Sequence, residues 1–441
     1  MLKHEDNELI CRVGNGTAMG DALRRYWWPV LLSEELQGQG RDCTPQPIRL
    51  LGERLVAYRD AAGTVHVLEE ACPHRGASLA LGIVEDCAIR CLYHGWKIAG
   101  DGRIIDAPNV SHGDRQGGPL LGFRAAAFPA REAGGIIWTY IGPADLEPPF
   151  MDYYWFSVPE DQRWISLQII DANYVQVVEG SLDPSHFAIL HHDSMVNFSR
   201  FAAEGNSTSS VLANLAPRIE VDRKDHGFVL NTRRAESETH DRIRPTVFVA
   251  PSTMIIPTGM GADTGGAIMV TPLDDYRSVQ IFLRWDDKLP IGTEPYRSDM
   301  QEYLGVRPDI LAAFGLDRAN CDRPGKPAMA NRFLQDRAAI AAGTDSTGLP
   351  DFIPEDVAMS VSQGRIADRS REHLVRADIG CVEYRRLLIK AASQVREGMA
   401  PIGIDQPVDT YALCSREYLA ARDGSDGDVA PRNTPRPLAK A

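Results

Sequence analysis

Two short segments pair a cysteine with a histidine, Cys72-Pro-His74 and Cys91-Leu-Tyr-His94, in the pattern C-x-H-x16-C-x2-H. Four such ligands on two loops can hold one Zn²⁺ or a [2Fe-2S] cluster. In a two-iron cluster with mixed ligands, the thiolates take one iron and the imidazoles the other, so each loop serves both metals. That explains why Cys is paired with His and not with Cys, as in most zinc ribbons. Imidazole in place of thiolate raises the potential, which suits a centre that relays electrons onward. Pro73, Gly76 and Gly95 allow the tight loops that must wrap a cluster. Cys87 lies outside the spacing and is expected to be a buried thiol.

Electrons entering at such a centre need a consumer. The stretch NYVQVVEGSLDPSHFAILHH offers Asp183, His186 and His191, spaced D-x2-H-x4-H. Two histidines and one carboxylate on one face of a metal leave positions open for O₂, the ligand set of mononuclear Fe(II) oxygenases. The bland alternative is a helix with a few exposed histidines. Residues five apart lie about 140° apart on an ideal helix, so the segment must bulge or break between His186 and His191. His192 competes for the role, although the four-residue gap favours His191. The third ligand must come from far along the chain. Asp356 in IPEDVAMSVSQGRIADRSREHL is the best candidate, opening a helix-like run after Pro354, with Glu355 as its rival.

The segment CPHRGAS…CLYHGW resembles the Rieske domain of ring-hydroxylating oxygenases. The pattern NxxQxxEGxxDxxHxxxxH and the late ED before GRIADRSREHL narrow the resemblance to phthalate 4,5-dioxygenase-like oxygenase components (alpha subunits), over nearly the whole chain from RYWWPV onward. The resemblance implies an α+β chain: an all-β Rieske [2Fe-2S] domain and a helix-grip (START/Bet v1-like) catalytic domain with an antiparallel sheet. It implies that Cys72, His74, Cys91 and His94 hold the cluster, and that His186, His191 and Asp356 bind Fe(II). Asp183 would bridge to His94 of the partner subunit, and Asn173 would lie near the iron. A trimer, or a hexamer of two stacked trimers, would bring one chain's cluster beside the next chain's iron.

The same resemblance implies a substrate class, aromatic carboxylates, and an activity, cis-dihydroxylation with O₂. Monooxygenation or O-demethylation of methoxy-aromatic acids runs on the same scaffold. A Rieske electron carrier without oxygenase chemistry is the reading from a different class. No GxGxxG follows a strand, so the electrons must come from a separate NAD(P)H-dependent reductase carrying flavin or iron–sulfur.

An aromatic acid needs planar bidentate donors in an otherwise apolar pocket. The strand region supplies Arg218, Arg223, Arg233, Arg234, Arg242 and Arg244. Alternation in HDRIRPTVFVAPSTMIIP puts Arg244, Thr246 and Phe248 on one face, so Arg244, Phe248 and, with less support, Arg218 are the substrate candidates. Arg244 also falls where phthalate-type enzymes carry a substrate arginine. Where those enzymes read a Pro-Asn-rich stretch, this chain reads TGMGADTGG (258–266), a departure that counts against phthalate itself.

The elements that position these residues follow from the patterning. A helical N-terminal segment (1–26) precedes short β runs from 27 to 145, in which 48–68 reads as three strands joined by two turns. A Pro-rich aromatic junction leads into the catalytic domain, 146–425. There PRIEVDR, GFVLNTRR, RPTVFVAPSTMIIP, GGAIMVTPL and RSVQIFLRWDD suggest one antiparallel sheet, and 370–398 is the clearest later helix. Residues 426–441 are a flexible tail by composition. A net charge of −13 argues against nucleic acid and anionic membranes as partners, and an acidic substrate must be held by local arginines. The start of the chain lacks a secretory pattern, and no stretch approaches the roughly 20 apolar residues of a spanning helix. Both point to a cytoplasmic protein.

Overall fold

In the computed structural model the chain passes twice between two units, one formed by Met1–Arg12 with Pro149–Ala441 and the other by Val13–Pro148. The structure describes residues 2–111, 122–198, 208–257, 264–404, 408, 413 and 415–424. The expected tail at 426–441 lies outside them.

The expected helical segment 1–26 is split between the units. Helix His4–Cys11 belongs with the later residues: Asn7 Nδ2 donates to the carbonyl of Ala367 (3.0 Å), and Arg369 Nη1 donates to Asn7 Oδ1 (3.1 Å). Tyr174 Oη donates to the Ile10 carbonyl at 2.9 Å. Helix Ala18–Leu23, capped by Thr17 Oγ1 on the Gly20 amide, belongs with the β unit instead. Trp28 Nε1 donates to its last carbonyl, Leu23, and Arg24 reaches the Leu51 carbonyl. The later boundary falls at 148/149, inside the Pro-rich junction and three residues beyond the expected one.

The smaller unit contains β1 (Trp28–Leu32), β2 (Gln46–Leu50), β3 (Glu53–Arg59), β4 (Val65–Glu69), β5 (Ile83–Glu85), β6 (Ala88–Arg90), β7 (Lys97–Ala99), β8 (Ile104–Asp106), β9 (Ala127–Phe128), β10 (Ala130–Ala133) and β11 (Ile136–Thr139). They form three antiparallel sheets, β1-β11-β10, β2-β3-β4-β9 and β5-β6-β7-β8. β2–β3–β4 is the expected meander, closed at its first turn by Leu51 and Gly52 at φ +50° and +85°. Cys87 is exposed, contrary to expectation. It sits with Asp86 (φ +54°) in the two-residue turn between β5 and β6, and such a tip projects into solvent.

The larger unit is built on β12 (Arg163–Ile170), β13 (Arg218–Lys224), β14 (Gly227–Ala235), β15 (His240–Val249), β16 (Thr253–Ile256), β17 (Thr264–Pro272), β18 (Ser278–Asp286) and β19 (Tyr418–Ala421). Their order is β12-β18-β17-β16-β15-β14-β13, all antiparallel, with β19 pairing beside β16 on the same edge of β15. The five expected strand runs are all present. β17 and β18 are buried at every position, although β18 carries Ser278, Gln280, Arg284 and Asp286 in period-two alternation with apolar residues. Helix Ile379–Arg396 packs on one face of this sheet: Tyr384 meets the Phe248 ring at 5.3 Å. It starts nine residues later than the pattern from 370 suggests. Among the described residues no helix is long and apolar enough to cross a membrane.

Candidate active site

Helix Tyr174–Leu182 carries the first half of the motif, and its polar residues are bolts. Asn173 caps it, Oδ1 accepting from the Val175 amide (3.1 Å), while Nδ2 donates to the carbonyls of Cys11 (3.0 Å) and Asp275 (2.8 Å). Gln176 donates to the Ser360 and Gly364 carbonyls and accepts from the Ala367 amide. Glu179 receives both Arg369 and Arg385. Asn173 is therefore not beside the metal site, as the resemblance had implied. It stands ten residues before Asp183, about 15 Å away along the helix, with its side chain fully occupied.

After Leu182 the helix breaks, ahead of both histidines; between them, where the spacing called for a bulge or break, the chain makes one short helical turn. Asp183 is extended, His186 caps the single turn Phe187–Leu190, and His191 ends it at φ −98°, ψ 28°. Arg234 Nη2 holds the break by donating to the Pro184 carbonyl at 2.6 Å. His191 is fully buried while His192 is exposed, which decides between them. Asp356 Oδ1 lies 3.1 Å from His191 Nε2 and 3.6 Å from His186 Nε2. Both nitrogens are buried and make no hydrogen bond. Among the described residues, His186, His191 and Asp356 are the one group of three His, Cys, Asp or Glu whose ligand atoms all lie within 4.8 Å of one another. Two orphaned imidazole nitrogens facing one carboxylate is a donor set that fits a divalent metal. Asp356 projects from the second turn of helix Phe352–Ser362, which begins two residues before Pro354 and not after it.

The rival, Glu355, stands behind His191. Its Oε2 lies 2.7 Å from His191 Nδ1 and its Oε1 accepts from Thr347 Oγ1 at 2.7 Å. Phe352 stacks on the same imidazole at 3.7 Å. His186 has a looser backing carboxylate: Asp183 Oδ2 is 3.4 Å from Nδ1, and Asp183 Oδ1 accepts from the Ser185 amide and hydroxyl. Each histidine thus offers Nε2 forward with a carboxylate at its back, which fixes ring orientation and tautomer. Burial pushes the His191 imidazolium down, but Asp356 and Glu355 outweigh it and raise its pKa to about 9. Burial pushes Asp356 up, and His191 and His186 bring it below its ordinary value.

The two Cys/His loops repeat one design. The amide of Cys72 donates to the Ala77 carbonyl and that of Gly76 to Cys72; the amide of Cys91 donates to Trp96 and that of Gly95 to Cys91. Gly76 and Gly95 hold φ +71° and +73°, conformations that favour glycine. His74 and His94 meet ring to ring at 4.5 Å, and Trp96 stacks on His74 at 4.5 Å. Burial, with the neighbouring Cys91, raises the Cys72 thiol to about 11. Burial and the charge of His94 lower His74. Histidine touches histidine and thiol adjoins thiol, and no three of these ligand atoms converge within 4.8 Å. That suits two irons with unlike ligands better than one zinc ion.

A cavity of about 80 Å³ adjoins the triad, lined by His186, Asp356, Phe187, Arg244, Phe282 and Arg284 among others. Cavities that take benzene are about 150 Å³, so a ring must displace lining side chains, and the unbranched Met195 is the most pliable of them. Arg244 reaches this cavity, as expected. Its Nη2 donates to the Pro257 carbonyl (3.0 Å), its Nε is 3.5 Å from Glu417, and its Cζ lies 5.4 Å from the Phe187 ring centre. Two other substrate candidates are not there. Arg218 is exposed on the edge strand β13 and pairs with Glu220 at 2.7 Å. Phe248 shares Arg244's face but is buried between Phe228 and Tyr384. Of the remaining arginines, Arg223 pairs with Glu383 and Arg242 with Glu236. Arg284, at the end of the RSVQIFLRWDD strand, was overlooked; it shares a face with Gln280 by alternation, but nothing local says that this face meets the cavity.

Comparison with known proteins accords with this geometry. Residues 26–124 match the Rieske [2Fe-2S] domain family, and residues 139–424 match the family described as LigXa C-terminal domain like. The chain is 35% identical to the phthalate 4,5-dioxygenase oxygenase subunit of Pseudomonas putida, over 96% of this chain and 93% of that one. It is 31% identical to the 3-chlorobenzoate-3,4-dioxygenase oxygenase subunit of Comamonas testosteroni, over 96% of each. A crystal structure of dicamba monooxygenase bound to dicamba shares the fold at a TM-score of 0.58 and 19% identity, covering 85% of this chain and 99% of that one. An oxygenase of this kind carries a Rieske [2Fe-2S] cluster and a mononuclear iron. The chain belongs to the Rieske non-heme iron ring-hydroxylating oxygenases, in the group that resembles the phthalate 4,5-dioxygenase oxygenase component.

Proposed function

We propose that this chain is the terminal oxygenase of a multicomponent, cytoplasmic system that hydroxylates an aromatic carboxylate, in the first instance by cis-dihydroxylation. The observation that carries the reading is one cavity, lined at once by His186 and Asp356 and by the buried Arg244 and the ring of Phe187. In this reading Cys72 and Cys91 hold one iron of the cluster and His74 and His94 the other, while His186, His191 and Asp356 hold Fe(II). The bound metals supply electron relay and O₂ activation.

The chain's own residues bind, orient and exclude. Arg244 and Arg284 give the cavity the cationic wall that a carboxylate needs, Phe187 packs the ring beside the triad, and Ile256, Ile268 and Phe282 keep water out. Asp183 is about a quarter exposed and uses only part of its acceptor capacity on His186 and Ser185. It can therefore also accept from His94 of the partner subunit, joining a cluster ligand to an iron ligand. A trimer, or a hexamer of two stacked trimers, provides that neighbour. A separate NAD(P)H-dependent reductase with flavin and iron–sulfur supplies the electrons, in keeping with the relatives' names as oxygenase subunits.

A single turnover tests this. The iron-loaded protein is reduced chemically, freed of reductant and exposed to O₂ with benzoate, phthalate, isophthalate, terephthalate or methoxybenzoates, and products are identified by mass. A product heavier by O₂ and two hydrogens from one of the acids is the expected result. Formaldehyde from a methoxybenzoate would replace dihydroxylation by O-demethylation, the activity named for one relative at 28% identity. No product from any acid, with both metals present, would overturn the substrate class.

A further inference from the structure

Strand β18 turns Gln280, Phe282 and Arg284 towards the cavity by simple alternation. The ladder partner of Arg284 is Gly266 on β17, whose own partner on β16 is Ile256, another lining residue. A methyl group on Gly266 would come within 3.1 Å of Arg284 Nη1 and 3.2 Å of its Cδ. The guanidinium therefore lies over a strip of backbone kept bare by glycine. That glycine ends TGMGADTGG, the stretch where this chain departs from the phthalate enzymes.

Arg284 is 7% exposed, and its Nε and Nη1 have no hydrogen-bond partner. The Phe282 ring centre is 6.0 Å from its Cζ, and no carboxylate pairs with it among the described residues. Arg244 differs: Glu417 offsets its charge and the Pro257 carbonyl occupies one of its donors. Burial lowers the Arg284 guanidinium to about 10, with Tyr303 opposing and Arg244 adding to the effect, so it remains charged at neutral pH. A buried, unpaired cation opposes folding. Groups kept at such a cost are most often found where a ligand will meet them.

We propose that Arg284 is the anion anchor of the cavity and that the site takes an aromatic acid with a single carboxylate, in preference to an ortho-dicarboxylate. Of the two arginines in the lining one is offset by Glu417 and one is not, so the arginine pair leaves one positive charge to neutralise. This rests on the aromatic-acid reading above and refines it.

The test is calorimetric binding of benzoate, phthalate and neutral benzamide to the intact iron-loaded protein, with thermal melting in parallel. Wild type is expected to bind benzoate more tightly than phthalate. Arg284→Gln should weaken benzoate about 100-fold, leave benzamide unchanged and raise the melting temperature, because an unpaired buried charge is removed. Gly266→Ala keeps the charge but displaces it, and should weaken benzoate about tenfold. If Arg284→Gln lowers the melting temperature and leaves benzoate binding intact, the arginine is structural and this proposal falls while the aromatic-acid reading stands. Tighter phthalate than benzoate would overturn the single-carboxylate preference. Failure of wild type to bind any of the acids would remove the reading on which the proposal rests.

Discussion

The cluster loops and the iron triad are assembled at very different range. Every proposed cluster ligand comes from Cys72 to His94, on two turns with the same hydrogen-bond scheme. The triad joins a broken helix to a second helix, with His191 and the Glu355 that supports it 164 positions apart. The loops stand near the surface, with Leu81 71% and Leu92 60% exposed beside them, whereas His191 has no exposed surface. A relay must be reached by partners, and a centre that meets O₂ and substrate must be kept dry. The difference also explains the support each receives: backbone geometry for the loops, buried carboxylates for the triad.

The comparison can be broken most severely at the ligands. Cys91→Ser should remove the visible and paramagnetic signature of the cluster and leave the mononuclear iron. Asp356→Ala should do the reverse, and each should abolish turnover. If Asp356→Ala also strips the cluster, the two centres are not independent. Next is Asp183→Asn, expected to retain both metals and the substrate KM while kcat falls on the order of 100-fold. Normal turnover in that variant would exclude Asp183 as the bridge. Glu355→Gln should weaken metal binding by about 10- to 100-fold with little change at the cluster, read by Co²⁺ titration.

A smaller effect is set by pH. In the iron-free protein His191 holds its proton up to about 9, above its usual value near 6.5. The stability this proton contributes is present in full below about 6.5 and is lost as pH rises through about 9. A metal needs the neutral ring, so Co²⁺ affinity should rise between pH 6.5 and 8.5, by up to about 100-fold, with one proton released. A flat profile would mean that His191 is already neutral in the iron-free protein. The smallest effect on turnover is at Asn173→Ala, where loss of the cap and of the two bonds to the Cys11 and Asp275 carbonyls should cost about 2–4 kcal/mol of stability and leave kcat unchanged. A large fall in kcat at full stability would restore Asn173 to the metal site.

Legibility in the sequence followed the same division. The Cys/His spacing, the meander at 48–68 and five strands of the large sheet are local patterns, and each could be read directly. The five-residue gap between His186 and His191 called for a break between them; what is found there is a single helical turn ending at His191, while the larger break at Pro184 lies ahead of both. Asp356 was legible as a candidate, but its separation from Glu355 was not, because adjacent carboxylates differ only in which side of a distant imidazole they meet. Asn173 was misassigned because a motif residue that caps a helix looks no different from one that serves a metal. Phe248 satisfied the alternation and still missed the cavity, since alternation gives the face and not the position along it. Arg284 was missed although β18 alternates, because alternation shows that Gln280 and Arg284 share a face and not that this face lines the cavity.

The first twelve residues bear on how this protein can be made and divided. Asn7 accepts a hydrogen bond from Arg369, which has no exposed surface, and Tyr174 donates to the Ile10 carbonyl. The chain's beginning therefore waits during synthesis, while the whole β unit emerges and folds, for a partner encoded near residue 369. Excising 149–441 as a catalytic fragment would uncover Arg369 and Tyr384 and lose the carbonyl at Cys11 on which Asn173 rests. A fragment that restores residues 1–12 through a linker is the one expected to remain soluble.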